Sequence, residues 1–200
     1  LQEEEINLNN LNLQFNFFFE KIKNLKIDNI PLEQIIFLIN SFTNFTKLSI
    51  EHCCLDEDLQ HIEKILNKKN KEKINSNSKS NTNTINLKYL NLSFNGLSSA
   101  IAMNSLKKIL AYQNEINTIL LRGMWFSDIY SLNEEFRVME NLTSLDLTGS
   151  KNIFDGQNSV FAFCEIKNLK ILNLGDSRMK DNNLFSLLQS FEAKENKSLE

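Results

Sequence analysis

Positive charge is not in excess in this 200-residue chain: 22 Lys and Arg stand against 25 Asp and Glu, a net charge of −3. Nucleic acid and anionic membranes need clustered Lys and Arg that displace counterions from phosphate, and no basic stripe occurs outside one polar run, so neither is expected as a partner. No apolar run approaches the length of a membrane span, and no charged start followed by an apolar core reads as a signal peptide. Cysteine is sparse. Cys53, Cys54 and Cys164 make an odd number with two adjacent, which fits a reducing compartment better than a disulfide framework and points to the cytoplasm. Histidine is rarer still: His52 and His61 alone are available as general bases near neutral pH, and G-x-S-x-G, G-x-x-x-x-G-K-S/T and G-x-G-x-x-G are all absent. Catalysis, a cofactor and a small-molecule substrate are therefore not expected.

What is present is a repeat. With 42% hydrophobic and 24% charged residues the chain can bury one continuous core beneath an ordinary surface. LKYLNLSFNGL places apolar side chains at 87, 90, 92 and 97 around Asn95, a spacing that begins with strand alternation and then turns on the Asn. The pattern L-x-x-L-x-L-x-x-N/C-x-L returns in FTKLSIEHCCL from Phe45, INTILLRGMWF from Ile116, LTSLDLTGS from Leu142 and LKILNLGDSRM from Leu169. The turn slot holds Cys53, Asn95, Met124, Ser150 and Ser177 in turn. Starts at 87, 116, 142 and 169 are 29, 26 and 27 residues apart. In template and period the chain resembles the leucine-rich repeat family, in its longer, ribonuclease-inhibitor-like class.

Residues two apart on a strand share a face, so Leu90 and Leu92 enter the core while Tyr89, Asn91 and Ser93 point away from it. Stacked strands make a parallel sheet, and the polar slot supplies hydrogen bonds where the chain leaves it. The gaps read as helices. SDIYSLNEEFRVMEN carries Ile129, Leu132, Phe136 and Met139 behind Ser127 and Asp128 as N-cap candidates; LDEDLQHIEKIL carries Leu55, Leu59, Ile62 and Leu66; LSSAIAMNSLKKIL carries Leu97, Ala100, Met103, Leu106 and Leu110; EQIIFLINSF fills the gap before Phe45. The expected fold is an α/β solenoid, a curved horseshoe with its parallel sheet on the concave side and its helices on the convex side.

The solenoid is expected to span 1–200 as one unit, and a start at Leu1 without Met reads as part of a longer repeat array. The 42 residues from Phe45 to Leu87 exceed the period by about fifteen, and the polar run 69–85 accounts for them as a looped-out insertion with little to bury. Near the N-terminus IKNLKIDNIPL and LNNLNLQFNFF both fit the template but start only 14 residues apart, so one is imperfect, as terminal repeats tend to be. The Phe15, Phe17, Phe18 and Phe19 cluster reads as a lid or as a surface for upstream sequence. EHCCLDED lacks the second Cys pair that a four-ligand metal site needs, and Cys53 fills the turn slot. Sequons at Asn44, Asn91, Asn141 and Asn196 are chance matches in a chain with 30 asparagines.

Resemblance to leucine-rich repeat proteins implies a non-enzymatic protein-interaction module or scaffold, placed in a cytoskeletal or ciliary assembly. The alternative is the recognition segment of a larger enzyme, such as a kinase or a ubiquitin-ligase receptor. On the concave face the side chains without a core position are expected to meet the partner: Tyr89, Asn91, Leu120, Arg122 and Asp146, with Phe94 and Trp125 in the adjoining turns. Aromatic and Arg side chains dominate interface energy, which singles out Tyr89, Phe94, Arg122 and Trp125. Tyr89 and Arg122 are expected to sit side by side on neighbouring strands as one patch, with Asp146 as a possible ion-pair partner of Arg122.

Overall fold

The first strand is short, because only two core residues per repeat need to be delivered before the chain turns. Leu25 and Ile27 point inward from β1 (Asn24–Asp28) and pair in register with Leu48 and Ile50 of β2 (Lys47–Glu51). The computed structural model describes residues 21–42, 44–75, 85–126, 129–155 and 160–197, with the backbone alone for 69–75 and 194–197. Four more strands follow, β3 (Tyr89–Asn91), β4 (Thr118–Leu120), β5 (Ser144–Asp146) and β6 (Ile171–Asn173). All six form one parallel sheet in chain order. Chain order and parallel direction together require each connection to cross outside the sheet, and helices make those crossings.

The register aligns the template. Leu48, Leu90, Ile119, Leu145 and Leu172 sit opposite one another across the sheet. The first four are fully buried, as are Ile50, Leu92, Leu121 and Leu147 two residues on. At β6 the same positions, Leu172 and Leu174, are only partly covered, since this strand has one neighbour.

Helix α1 (Leu32–Ser41) buries Ile35, Leu38 and Ile39. A 3-10 turn (Asp56–Asp58) leads into α2 (Leu59–Asn75), which inserts Leu59, Ile62 and Leu66. Its backbone stays helical through Asn75, so the polar run expected to loop out begins as helix, in keeping with the helix propensity of Lys and Glu at 71–73. Residues 76–84 of that run lie outside the described residues, as do the template at Leu8–Phe18, its Phe cluster, Ser127 and Asp128.

Ser99 caps α3 (Ala100–Ala111) by accepting from Ala102 N at 3.0 Å. The buried face of α3 is Ala102, Leu106, Ile109 and Leu110; Ala100 is exposed and Met103 half-buried, so the expected stripe is rotated by about half a turn at its start. The helix expected over 127–141 is instead a 3-10 segment (Ile129–Leu132) followed by the short α4 (Asn133–Val138). Ile129, Leu132, Phe136 and Met139 are all buried nonetheless. The last two repeats, for which the sequence names no apolar stripe, also carry helices, the single turn α5 (Phe161–Cys164) and α6 (Asp181–Lys197).

Candidate protein-interaction surface

Backbone pairing continues past each strand into the turn. The N–H of Asn29, Phe94, Gly123 and Gly149 donates to the carbonyl of Glu51, Arg122, Thr148 and Gly175 at 2.8–3.1 Å, so the turns stack in the same phase as the strands. At Asn95 and Ser150 the slot residue closes the turn. Asn95, buried, donates through Nδ2 to the carbonyls of Ile50 at 2.7 Å and Leu92 at 2.8 Å, and its Oδ1 accepts from Cys53 N at 2.9 Å. Ser150 performs the equivalent task with one hydroxyl, donating to Leu121 O and accepting from Met124 N, each at 3.0 Å. Met124 has no such group, and Asn95 serves Leu92 O from within its own repeat instead.

On the concave face the structure corrects the expectation that outward side chains are free of structural duty. Asn91 and Asp146 are buried, at 4% and 6% exposure. Each accepts the backbone N–H two residues on: Asn91 Oδ1 from Ser93 N at 2.9 Å, Asp146 Oδ1 from Thr148 N at 2.9 Å, and Asn173 Oδ1 likewise from Gly175 N at 3.1 Å. Leu120 occupies the same column and cannot accept, so the Arg122 N–H turns to Ser93 Oγ at 3.1 Å. Short side chains tied to their own backbone lie flat, and the neighbouring strands cover them. Burial of Asn91 also removes that sequon as a glycan site in the folded chain.

Asp146 is occupied several times over. Its Oδ2 accepts from Arg122 Nε and Nη2, each at 2.8 Å, and from Asn173 Nδ2 at 3.4 Å, while its Oδ1 accepts from the Thr148 hydroxyl at 2.7 Å. Burial alone would raise its carboxyl, but the Thr148 bonds and the Arg122 guanidinium outweigh that and hold it below the usual carboxylate range. Arg122 is thus neutralised, though its side chain is 42% exposed. Tyr89 and Arg122 are not side by side in register as expected, although the Arg122 charge still acts on the Tyr89 phenol. Tyr89 pairs with Thr118, which leaves Arg122 four residues further along, about 13 Å at strand rise. Tyr89 is half-buried, and burial, then the Glu51 charge, push its phenol up. Leu120 is half-buried and is the apolar member of an otherwise polar column.

Aligned on the slot, the turns expose two further columns. One residue before the slot stand His52, Phe94, Gly123, Gly149 and Asp176, all left-handed, at φ between 51° and 74°. A bulky Phe there costs about 1–3 kcal/mol. Its ring recovers part of this by stacking flat on His52, centroids 4.9 Å apart and planes within 2°. Its other side lies over Gly123, where a Cβ would approach Phe94 Cδ1 to 2.7 Å. One residue after the slot stand Cys54, Gly96, Trp125, Lys151 and Arg178. Trp125 is 66% exposed and Phe94 45%. Two successive glycines in the first column leave a groove of about 490 Å³, lined by Phe94, Gly123, Met124, Trp125, Gly149, Lys151, Asn152, Asp176 and Arg178.

Titratable groups offer little chemistry. Burial raises the Cys53 thiol, which bonds Glu51 O, and so disfavours the thiolate a nucleophile requires. His52 Nδ1 bonds Asp28 Oδ1 at 2.9 Å, and no Ser or Cys partners the ring among the described residues. No group of three His, Cys, Asp or Glu there is placed to hold a metal, and no described helix is long and apolar enough to cross a membrane.

No family model matches the chain, and no curated protein matches it. Among solved structures it is similar to the tropomodulin C-terminal domain of Caenorhabditis elegans, at 11% identity and a TM-score of 0.52, over 84% of this chain and 95% of that one. At that identity the likeness is one of fold. The chain is an α/β solenoid of leucine-rich-repeat-like architecture, with one parallel sheet alternating with helices.

Proposed function

We propose that this chain is a non-enzymatic protein-interaction module or scaffold, built from repeats of the longer, ribonuclease-inhibitor-like kind, which binds a partner protein on the concave sheet and the turn ridge beside it. One observation carries the reading: Phe94 and Trp125 stand exposed along one line of turns, on a framework whose polar residues are committed to holding its own backbone. Exposed aromatics on a rigid scaffold are the residues from which interfaces draw most of their energy. Within the surface Tyr89, Leu120 and Arg122 are the concave contacts, while Asn91 and Asp146 shape it without touching the partner. An odd number of cysteines, two of them adjacent, suits a cytoplasmic site, and a cytoskeletal or ciliary scaffold is the setting we propose.

Site-specific photo-crosslinking in the cells that express the protein tests this reading. A crosslinker at position 120 or 125 is expected to trap a discrete protein partner, and one at Lys107 or Lys108 on helix α3 is not. Crosslinks confined to 107 and 108 would move the interface to the helical side and refute the assignment.

A further inference from the structure

The two ridge columns make a site with chemical character. From Phe94 to Asp176 the first column reads side chain, none, none, side chain; the Phe94 ring rests over Gly123, so the notch opens above Gly149, with Gly123 backbone at its edge. Along the rim the second column presents Trp125, Lys151 and Arg178 in three successive repeats, about 5 Å apart at strand spacing. Phe94 and Trp125 make one end of the groove apolar, and Lys151 and Arg178 make the other cationic. Asp176 is the one carboxylate in the lining, and it reaches Lys151 at 3.6 Å between two exposed side chains, an exchangeable contact. Arg178 has no acidic partner among the described residues. The notch is therefore a local excess of positive charge on a chain whose net charge is −3.

We infer that this notch binds a short acidic segment of a partner protein, one aliphatic or aromatic side chain lying over Gly149 against Phe94 and Trp125 and a carboxylate reaching Arg178 and Lys151. The inference rests on the protein-interaction reading above and gives it a place and a partner chemistry. Glycine at 149 lets the segment approach the ridge backbone closely, and the Phe94 ring, stacked on His52 and resting over Gly123, makes one wall. Two cations are enough for a carboxylate but too few for a phosphate backbone, which favours peptide over nucleic acid.

Trp125 is the only tryptophan in the chain, so its emission reports occupancy of the notch directly. Peptides selected from a random phage-displayed library on the full chain, then synthesised and titrated against that emission, provide the test. Selection is expected to enrich Asp or Glu beside Leu or Phe, with a blue shift of Trp125 on binding. Arg178→Glu should weaken binding more than tenfold, Lys exchanged for the peptide's acid should restore it, and Lys107→Glu with Lys108→Glu should leave it unchanged. Selected peptides without acid enrichment, peptides indifferent to Arg178→Glu, an empty selection, or tighter binding of a poly-dT oligonucleotide would each overturn the inference. Peptides that respond to Tyr89→Ala or Leu120→Ala but not to Arg178→Glu would overturn the notch alone and leave the interaction module standing. Arg178 and Lys151 are surface residues, so an unchanged melting temperature in each charge variant shows that binding alone was altered.

Discussion

Replacing Asn95 by Ala removes three short hydrogen bonds at once, and a longer one to Ser93 O at 3.4 Å, from a position that is 1% exposed. The Cys53 N–H and the carbonyls of Ile50 and Leu92 then lose that partner inside the stack. A buried polar group left unmatched costs about 1–3 kcal/mol, with carbonyls toward the low end because they hold a second lone pair. The expected loss is about 3–5 kcal/mol, a large share of the roughly 5–15 kcal/mol that holds a domain together. Ser150→Ala strands one N–H and one carbonyl and should cost about 2–4 kcal/mol. Asn95→Ser supplies a hydroxyl of the kind that works at 150, so its cost should be about 1–2 kcal/mol. Urea denaturation followed by circular dichroism orders the three variants. A loss below about 1 kcal/mol for Asn95→Ala, or equal losses for Asn95→Ala and Asn95→Ser, would refute the polar slot residue as the closing bond of its turn.

Leu90→Ala and Leu145→Ala each empty a fully buried site and should cost about 2–5 kcal/mol by the same assay, whereas Leu184→Ala, at 46% exposure, should cost under about half a kcal/mol. Asp146 has a folded-state carboxyl lowered from its ordinary value, so it adds stability above the unfolded pKa of about 4 and loses it as pH falls through the lowered value. The stability gap between the natural chain and Asp146→Asn should therefore be constant from neutral pH to about 5 and shrink below about 4; a gap that widens on acidification would contradict this. Gly96→Ala meets nothing within 4 Å and pays only for its left-handed φ, about 1 kcal/mol, while Gly123→Ala also drives a Cβ into Phe94 and should cost more and quench nothing elsewhere in the fold; equal losses would mean that the Phe94 ring does not rest there.

The parts legible in the sequence were those set by a strong period. Leu90 and Leu145 stand where strand alternation puts them, and the register of all six strands follows from aligning templates. Helix faces were legible and helix types were not: Ile129, Leu132, Phe136 and Met139 are buried as spaced, yet the backbone divides into a 3-10 and an α segment. Apolar spacing reports which side faces the core, and a 3-10 turn satisfies it over this length as well as an α turn does. Asn91 and Asp146 depart from the expected exposure for a different reason. Their direction was right, but alternation says nothing about a side chain folding back onto its own backbone two residues later. Gln113 escaped notice altogether, and it is buried while holding Leu87 N and Ile85 O where the chain re-enters the stack. An isolated Gln after a helix carries no sequence signal for that task.

The ridge shows what signal remained unused. Along the chain Phe94, Gly123 and Arg178 have nothing in common, since each belongs to a different repeat. Across the stack they line one groove, because successive strands lie only about 4.8 Å apart. A surface on a solenoid is thus written in columns, and the column before the slot, His52, Phe94, Gly123, Gly149 and Asp176, records both a wall and a gap. Core columns tolerate only one kind of residue because every repeat meets the same packing. Columns on the ridge meet solvent, so their residues differ from repeat to repeat without cost to the stack. Two adjacent glycines beside a Phe, facing Trp, Lys and Arg, are a sequence of that second kind, laid perpendicular to the chain.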